Sequence, residues 1–218
     1  AELVERAHAP LPKPVKAVDP ELSDRLNAEQ CAAVRALDQA SVVLLSGGPG
    51  TGKTSTVVEI LARAEARHPS LRIGLAAPTG KAARRLGEAV MAQRAPLPCS
   101  TLHRWLEAGS RGFGRHRQRP LELDLLVIDE MSMLDLALTQ ALLEALPSGC
   151  RLLLVGDPAQ LPPVGSGAVW HRLQQSDVRG RFGAGAVHLE RTYRNRGALA
   201  QVAHQLRRGN LETFAADL

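Results

Sequence analysis

The chain has 218 residues, 44% of them hydrophobic and 22% charged, with a net charge of +5 and a pI near 9.6. That length suits one large domain or two small ones with a buried core, and no stretch approaches the roughly 18 consecutive apolar residues of a membrane-spanning helix. Cys31, Cys99 and Cys150 are odd in number and lack metal-ligand spacing, which argues against a disulfide framework and for a reducing, cytoplasmic setting. All but four of the 27 basic residues are arginines. The excess is either a compositional bias or the electrostatic footprint of a nucleic-acid partner.

Residues 1–22 carry Pro10, Pro12, Pro14 and Pro20 without a sustained period, and read as a linker or the tail of an upstream domain. The start at Ala1 rather than Met points to a piece of a longer chain, and no apolar segment of a secretory signal occurs in Ala1 to Pro20. Residues 23–218 read as one domain. Its first helix is expected to run to about Gln39, with Asn27 as N-cap and Gln30 reaching back as in a capping box. A carboxamide both donates and accepts, so Gln30 also suits the reading of an adenine edge. The residues leave both roles open.

Val42-Val43-Leu44-Leu45 reads as a buried strand and Ser55 to Arg67 as a helix. Between them lies Gly47-Gly48-Pro49-Gly50-Thr51-Gly52-Lys53-Thr54, a phosphate-binding pattern in the context that pattern requires. Its glycines let successive N–H groups turn toward one anion, and the helix N-terminus behind them adds partial positive charge. Gly47 through Ser55 are therefore expected to bind a nucleoside triphosphate. Lys53 is expected on its β- and γ-phosphates and the Thr54 hydroxyl on Mg²⁺.

A second strand is expected at Leu71 to Ala77, with Thr79 capping a helix whose first turns hold Lys81, Arg84 and Arg85. Cations there oppose the helix dipole, so they mark either a solvated face or a nearby polyanion. Ser100 to Leu106 reads as a short capped helix, with His103 as a core or capping residue and Trp105 as core rather than a base-stacking platform. Ser110 to Pro120 reads as a flexible basic loop suited to phosphates without sequence preference.

Leu125-Leu126-Val127-Ile128 reads as a central strand ending in Asp129 and Glu130. Asp129 is expected to hold Mg²⁺ and Glu130 to polarise the attacking water, two roles that need adjacent acids. Arg151 to Val155 is a further strand, leading to Gln160, either a γ-phosphate contact or a polar turn residue. Val187 to Leu189 is a short fifth strand, followed by Tyr193, able to stack near the base, and Arg194, able to act as an arginine finger. A last helix is expected from about Leu199 to Arg208.

Six runs occur in order: the 47–54 loop, Ala-Pro-Thr-Gly-Lys-Ala-Ala (77–83), Thr-Leu-His (101–103), Ile-Asp-Glu-Met-Ser-Met (128–133), Gly-Asp-Pro-Ala-Gln-Leu-Pro-Pro-Val (156–164) and Thr-Tyr-Arg (192–194). Over about Leu26 to Arg208 the chain resembles the RecD-like branch of superfamily 1 DNA helicases. The resemblance implies that Gln30 reads adenine, that Gln160 is a sensor between γ-phosphate and DNA, and that Arg194 is the arginine finger of motif IV. It also implies that Pro78, Thr79, Gly80, Lys81, Thr101 and His103 contact single-stranded DNA. Motifs V and VI, carried by a second motor domain in that family, are not found after Arg208.

The expected fold is thus α/β, a RecA-like P-loop NTPase with a mostly parallel sheet of about five strands and helices on both faces. The expected function is the ATP-hydrolysing motor domain of a 5′→3′ DNA helicase in recombination or repair. Taken alone, this stretch is expected to bind nucleotide and turn it over weakly. Expected partners are single-stranded DNA, a second motor domain of the same parent chain and recombination nuclease subunits, with no membrane. A non-catalytic ATP-binding scaffold, and a relaxase-fused or replicative accessory helicase, remain as alternatives.

Overall fold

Apolar runs of four to six residues become strands because each can bury both of its faces. In the computed structural model, which describes residues 1–9 and 26–193, the strands are β1 (Val42–Gly47), β2 (Ile73–Ala77), β3 (Cys99–Thr101), β4 (Ala108–Gly109), β5 (Gly112–Phe113), β6 (Leu125–Ile128), β7 (Arg151–Gly156) and β8 (Ala186–Leu189). Six of them form one sheet in the order β3-β2-β6-β7-β1-β8, with every neighbour parallel. β4 and β5 form a separate antiparallel hairpin. The helices are α1 (Glu2–Ala7), α2 (Ala28–Gln39), α3 (Lys53–Arg67), α4 (Gly80–Met91), α5 (Leu102–Trp105), α6 (Leu136–Ala145), α7 (Val169–Gln174) and α8 (Ser176–Arg179).

The two-residue period of a strand splits the core into halves. Val42, Leu44, Leu126, Ile128, Leu152 and Leu154 join Leu3, Leu138, Leu142 and Trp170 on one face. Val43, Leu45, Leu125, Val127, Leu153 and Val155 join Val34, Ile60, Leu61, Leu86 and Val90 on the other. Leu44 and Leu45 are both fully buried. Truncating either to alanine should cost about 2–5 kcal/mol. The α/β sheet expected from the sequence is present, with six strands rather than about five.

The extra strand is β3, half-buried at the sheet edge and built of Cys99, Ser100 and Thr101. An edge strand of three residues needs no apolar run, so it left no hydrophobic signal. The second difference is α1, within the stretch read as linker or tail. Its Leu3 and Val4 are buried in the core, and the Arg6 guanidinium donates to the Leu143, Leu146 and Pro147 carbonyls at 3.2–3.3 Å. A cation there satisfies backbone acceptors left open at the end of α6. Residues 10–22 of the linker reading, the helix expected at 199–208 and Arg194 all lie outside the described residues.

Candidate nucleotide site

In an open parallel sheet, ligands bind beyond the carboxyl ends of the strands. The loops after β1, β6 and β7 emerge from three adjacent strands at that end, carrying the phosphate-loop residues, Asp129 with Glu130, and Gln160. The loop after β8 adds Tyr193 on one flank, and those after β2 and β3 add Thr79, Lys81, Thr101 and His103 on the other.

The loop between β1 and α3 is shaped by its glycines. Gly50 and Gly52 have φ of 76° and 86°, the left-handed region that side chains avoid. A Cβ on Gly47 would stand 2.6 Å from Thr51 Oγ1 and 2.9 Å from the Leu189 carbonyl, so only glycine fits there. Lys53 donates to the Gly47 and Gly48 carbonyls at 2.7 and 2.9 Å, which folds its ammonium over the loop. Thr51 is buried and donates to the Gly48 carbonyl at 2.9 Å, a structural role. Thr54 and Ser55 stand exposed in the first turn of α3. Below the loop, buried Ser46 meets His188 Nδ1 of β8 at 2.8 Å and accepts from Arg179 at 3.1 Å. The strand bearing the loop is therefore locked to its neighbour.

Asp129 and Glu130 follow β6 as expected. Burial pushes the Asp129 carboxyl above the usual aspartate range; the neighbouring Glu130 charge adds to the rise, while the Glu130 N–H bond and Lys53 oppose it. Asp129 Oδ1 accepts from the Glu130 N–H at 2.8 Å. Glu130 itself has φ of 56°, a conformation that costs a non-glycine residue about 1–3 kcal/mol and often marks a functional site. After β7, Asp157 Oδ1 accepts from Ala159 N–H at 2.9 Å and shapes the turn that presents Gln160. Gln160 Oε1 accepts from Ser132 Oγ at 2.6 Å, joining the loop after β7 to the loop after β6. Ser132 lies inside the quoted 128–133 run, yet nothing in the sequence singled it out.

The expected capping box is present. Asn27 Oδ1 accepts from Gln30 N–H at 2.7 Å, and Gln30 Oε1 accepts from Asn27 N–H at 3.0 Å. Gln30 is buried, with Nε2 3.0 Å from where a Gly52 Cβ would stand. The cap therefore does not remove Gln30 from the site. Asn27 Nδ2 also donates to the Tyr193 hydroxyl at 2.8 Å, and Tyr193 N–H donates to the Gly50 carbonyl at 2.8 Å. Tyr193 thus sits against the phosphate loop, with the Arg191 guanidinium 5.3 Å from its ring centre.

On the β2–β3 flank the threonines act locally. Thr79 accepts from Ala82 N–H at 3.2 Å and Thr101 from Arg104 N–H at 3.3 Å, each capping its own helix. Gly80, Lys81, Arg84, Arg85 and His103 are exposed, and Pro78 is half-buried. The basic stretch 110–120 is more ordered than a flexible loop. β4 and β5 make it a hairpin, and Glu107 pairs with Arg115 at 2.8 Å and Arg119 at 2.6 Å, which holds the Glu107 carboxyl below its usual range. An acid just before the arginine cluster pairs with two of its members, a contact that composition does not announce.

The residues fit a magnesium nucleotide. A glycine cradle that a Cβ would fill provides N–H groups for phosphates, and the Thr54 hydroxyl and Asp129 carboxylate are the hard oxygen donors that Mg²⁺ accepts. Among the described residues no group of three or more His, Cys, Asp or Glu is placed to hold a metal. An ion carried by phosphate oxygens needs no such cage.

The AAA domain family matches residues 30–166. The ATP-dependent RecD2 DNA helicase of Deinococcus radiodurans is 42% identical over 186 residues, covering 84% of this chain and 24% of that protein. The RecBCD enzyme subunit RecD of Mycolicibacterium smegmatis is 40% identical over 210 residues, covering 87% of this chain and 37% of that one. The chain thus spans a quarter to somewhat over a third of these curated relatives. Among solved structures, the Pif1 helicase from Candida albicans aligns with a TM-score of 0.60 at 24% identity, covering 84% of this chain and 44% of that one. Bacteroides Pif1 bound to ssDNA aligns at 0.55 and 20% identity, over 84% and 46%. These two likenesses concern the fold alone. With the phosphate loop, the acid pair and Gln160 assembled at the carboxyl ends of adjacent strands, the chain belongs to the AAA domain family and, within it, to the RecD-like superfamily 1 helicase motor domains.

Proposed function

We propose that this chain is the ATP-binding and hydrolysing motor domain of a 5′→3′ DNA helicase acting in recombination or repair. The observation that carries the reading is the convergence of Lys53, Asp129, Glu130 and Gln160 on adjacent parallel strands. Backbone N–H groups of residues 47–54 hold the phosphates, Lys53 sets its ammonium against their charge, and Gln30 and Tyr193, which flank the phosphate loop, are assigned to the base. Thr54 and Asp129 would hold Mg²⁺, which supplies charge neutralisation at the transferred phosphoryl group. Glu130 accepts the proton of the attacking water, and its strained backbone fixes the carboxylate beside Asp129. Gln160 contacts the γ-phosphate. Arg194 is assigned as an arginine finger from its motif.

Pro78, Thr79, Gly80, Lys81, Thr101 and His103 are assigned to single-stranded DNA, the exposed Lys81 and His103 by charge and the others as supports. The resemblance to RecD proteins supports a second motor domain in the same parent chain and recombination nuclease subunits as partners. The odd number of cysteines, Cys31, Cys99 and Cys150, supports a reducing, cytoplasmic setting. Among the described residues no helix is long and apolar enough to cross a membrane.

The test is Lys53→Ala in the full-length protein, followed by DNA-stimulated ATP hydrolysis. Turnover is expected to fall at least about 100-fold, the scale of losing a charge-stabilising donor. Unchanged turnover would reject the assignment.

A further inference from the structure

Gln160 is gripped at both ends by residues to which no role has been given. Ser132 is fully buried, two residues beyond Glu130 on the 3-10 turn Met131–Met133. Its Oγ donates to Gln160 Oε1 at 2.6 Å. At the other end, His171 Nε2 of α7 lies 2.9 Å from the Gln160 carbonyl and donates to it, since a carbonyl only accepts. His171 follows Trp170, whose side chain is fully buried. Gln160 is an exposed side chain on a turn, where a glutamine would otherwise sample several rotamers.

The contact between Ser132 and Gln160 carries the argument, and its polarity matches what a γ-phosphate requires of the amide. A hydroxyl donating to Oε1 turns the Nε2 donors of Gln160 away from Ser132. Phosphate oxygens only accept, so the donor end is the one a γ-phosphate can use. Reversed, the amide would set its acceptor oxygen against the acceptor oxygens of an anion.

We propose that Ser132 is a positioning residue: it fixes the side chain of Gln160 with its amide N–H groups toward the γ-phosphate and ties that contact to the loop bearing Glu130. His171 supports the same turn through the main chain. The inference rests on the ATPase reading above and deepens it.

The experiment compares steady-state ATP hydrolysis by the full-length protein on single-stranded DNA for wild type, Ser132→Ala, Gln160→Ala, the double variant and Gln160→Glu. Thermal melting and fluorescent-nucleotide binding are run alongside. Ser132→Ala is expected to lower kcat about 5- to 10-fold, the scale of one buried hydrogen bond, with KM for ATP and the melting temperature nearly unchanged. The double variant should be no slower than Gln160→Ala, because both changes remove one linked interaction. Gln160→Glu should fall as far as Gln160→Ala, since it keeps an acceptor for Ser132 but presents oxygen to the phosphate. Multiplicative losses in the double variant, a Ser132→Ala defect confined to melting or KM, or wild-type kcat in Gln160→Glu would each overturn the proposal while wild-type turnover stands. Absent wild-type turnover would instead overturn the ATPase reading and this link with it.

Discussion

The two flanks of the sheet's carboxyl end are built on different principles. Around β1, β6 and β7 the candidate residues bond to one another across long sequence separations: Ser132 to Gln160, Tyr193 to Asn27 and to Gly50. Around β2 and β3 they bond to their own helices, as Thr79 and Thr101 do. The first flank is a constellation whose geometry depends on the whole fold. The second is a pair of capped helix starts carrying exposed cations. Reaction chemistry needs reactive groups fixed relative to each other, whereas contact with a flexible polyanion needs charge and access.

Six substitutions sharpen that contrast. The largest effect belongs to Glu130→Gln, which removes the proposed proton acceptor while keeping size and shape. Turnover should fall about 10²–10⁴-fold, with nucleotide binding retained in a fluorescence titration. Loss of binding instead would make Glu130 a structural residue.

Asp129→Asn is expected to separate stability from function. Because burial raises the folded-state pKa of Asp129, the folded chain binds its proton more tightly than the unfolded chain does. Stability from this group is therefore present below the ordinary aspartate pKa and is lost as pH rises through the raised value. At neutral pH the nucleotide-free Asn variant should melt above wild type, and the gain should vanish in the acid range. A lower melting temperature at neutral pH would contradict the burial argument.

The smallest effects lie on the second flank, read as the slope of DNA affinity against salt. Lys81→Ala and Arg117→Ala should each flatten that slope by about one contact. Arg115→Ala should leave it nearly unchanged, because Glu107 already neutralises Arg115. Thr79→Ala should cost about 1 kcal/mol of stability as a lost helix cap, without changing the slope. A steep response to Arg115 would mean that DNA displaces Glu107 and would break the contrast between the flanks.

What the sequence made legible follows the same division. Strands buried on both faces, such as Leu125–Ile128, announce themselves as apolar runs, and the phosphate loop does so through glycines that backbone geometry demands. β3 was silent because an edge strand of Cys99, Ser100 and Thr101 needs no apolar pattern. α1 was silent because a six-residue helix with two buried side chains falls below any reliable period. Ser132 and Glu107 were silent for another reason: their partners are set by tertiary packing, and neither residue type advertises its contact. Gln30 was legible twice over, and the structure keeps it in the cap and beside Gly52 together.

The central claim is that this end of the sheet drives ATP hydrolysis coupled to a DNA strand. The direct measurement is ATP turnover by the full-length protein with and without single-stranded DNA. Strong stimulation by the strand is the predicted result. Nucleotide binding without turnover under either condition would contradict it and leave a nucleotide-binding scaffold in place of a motor.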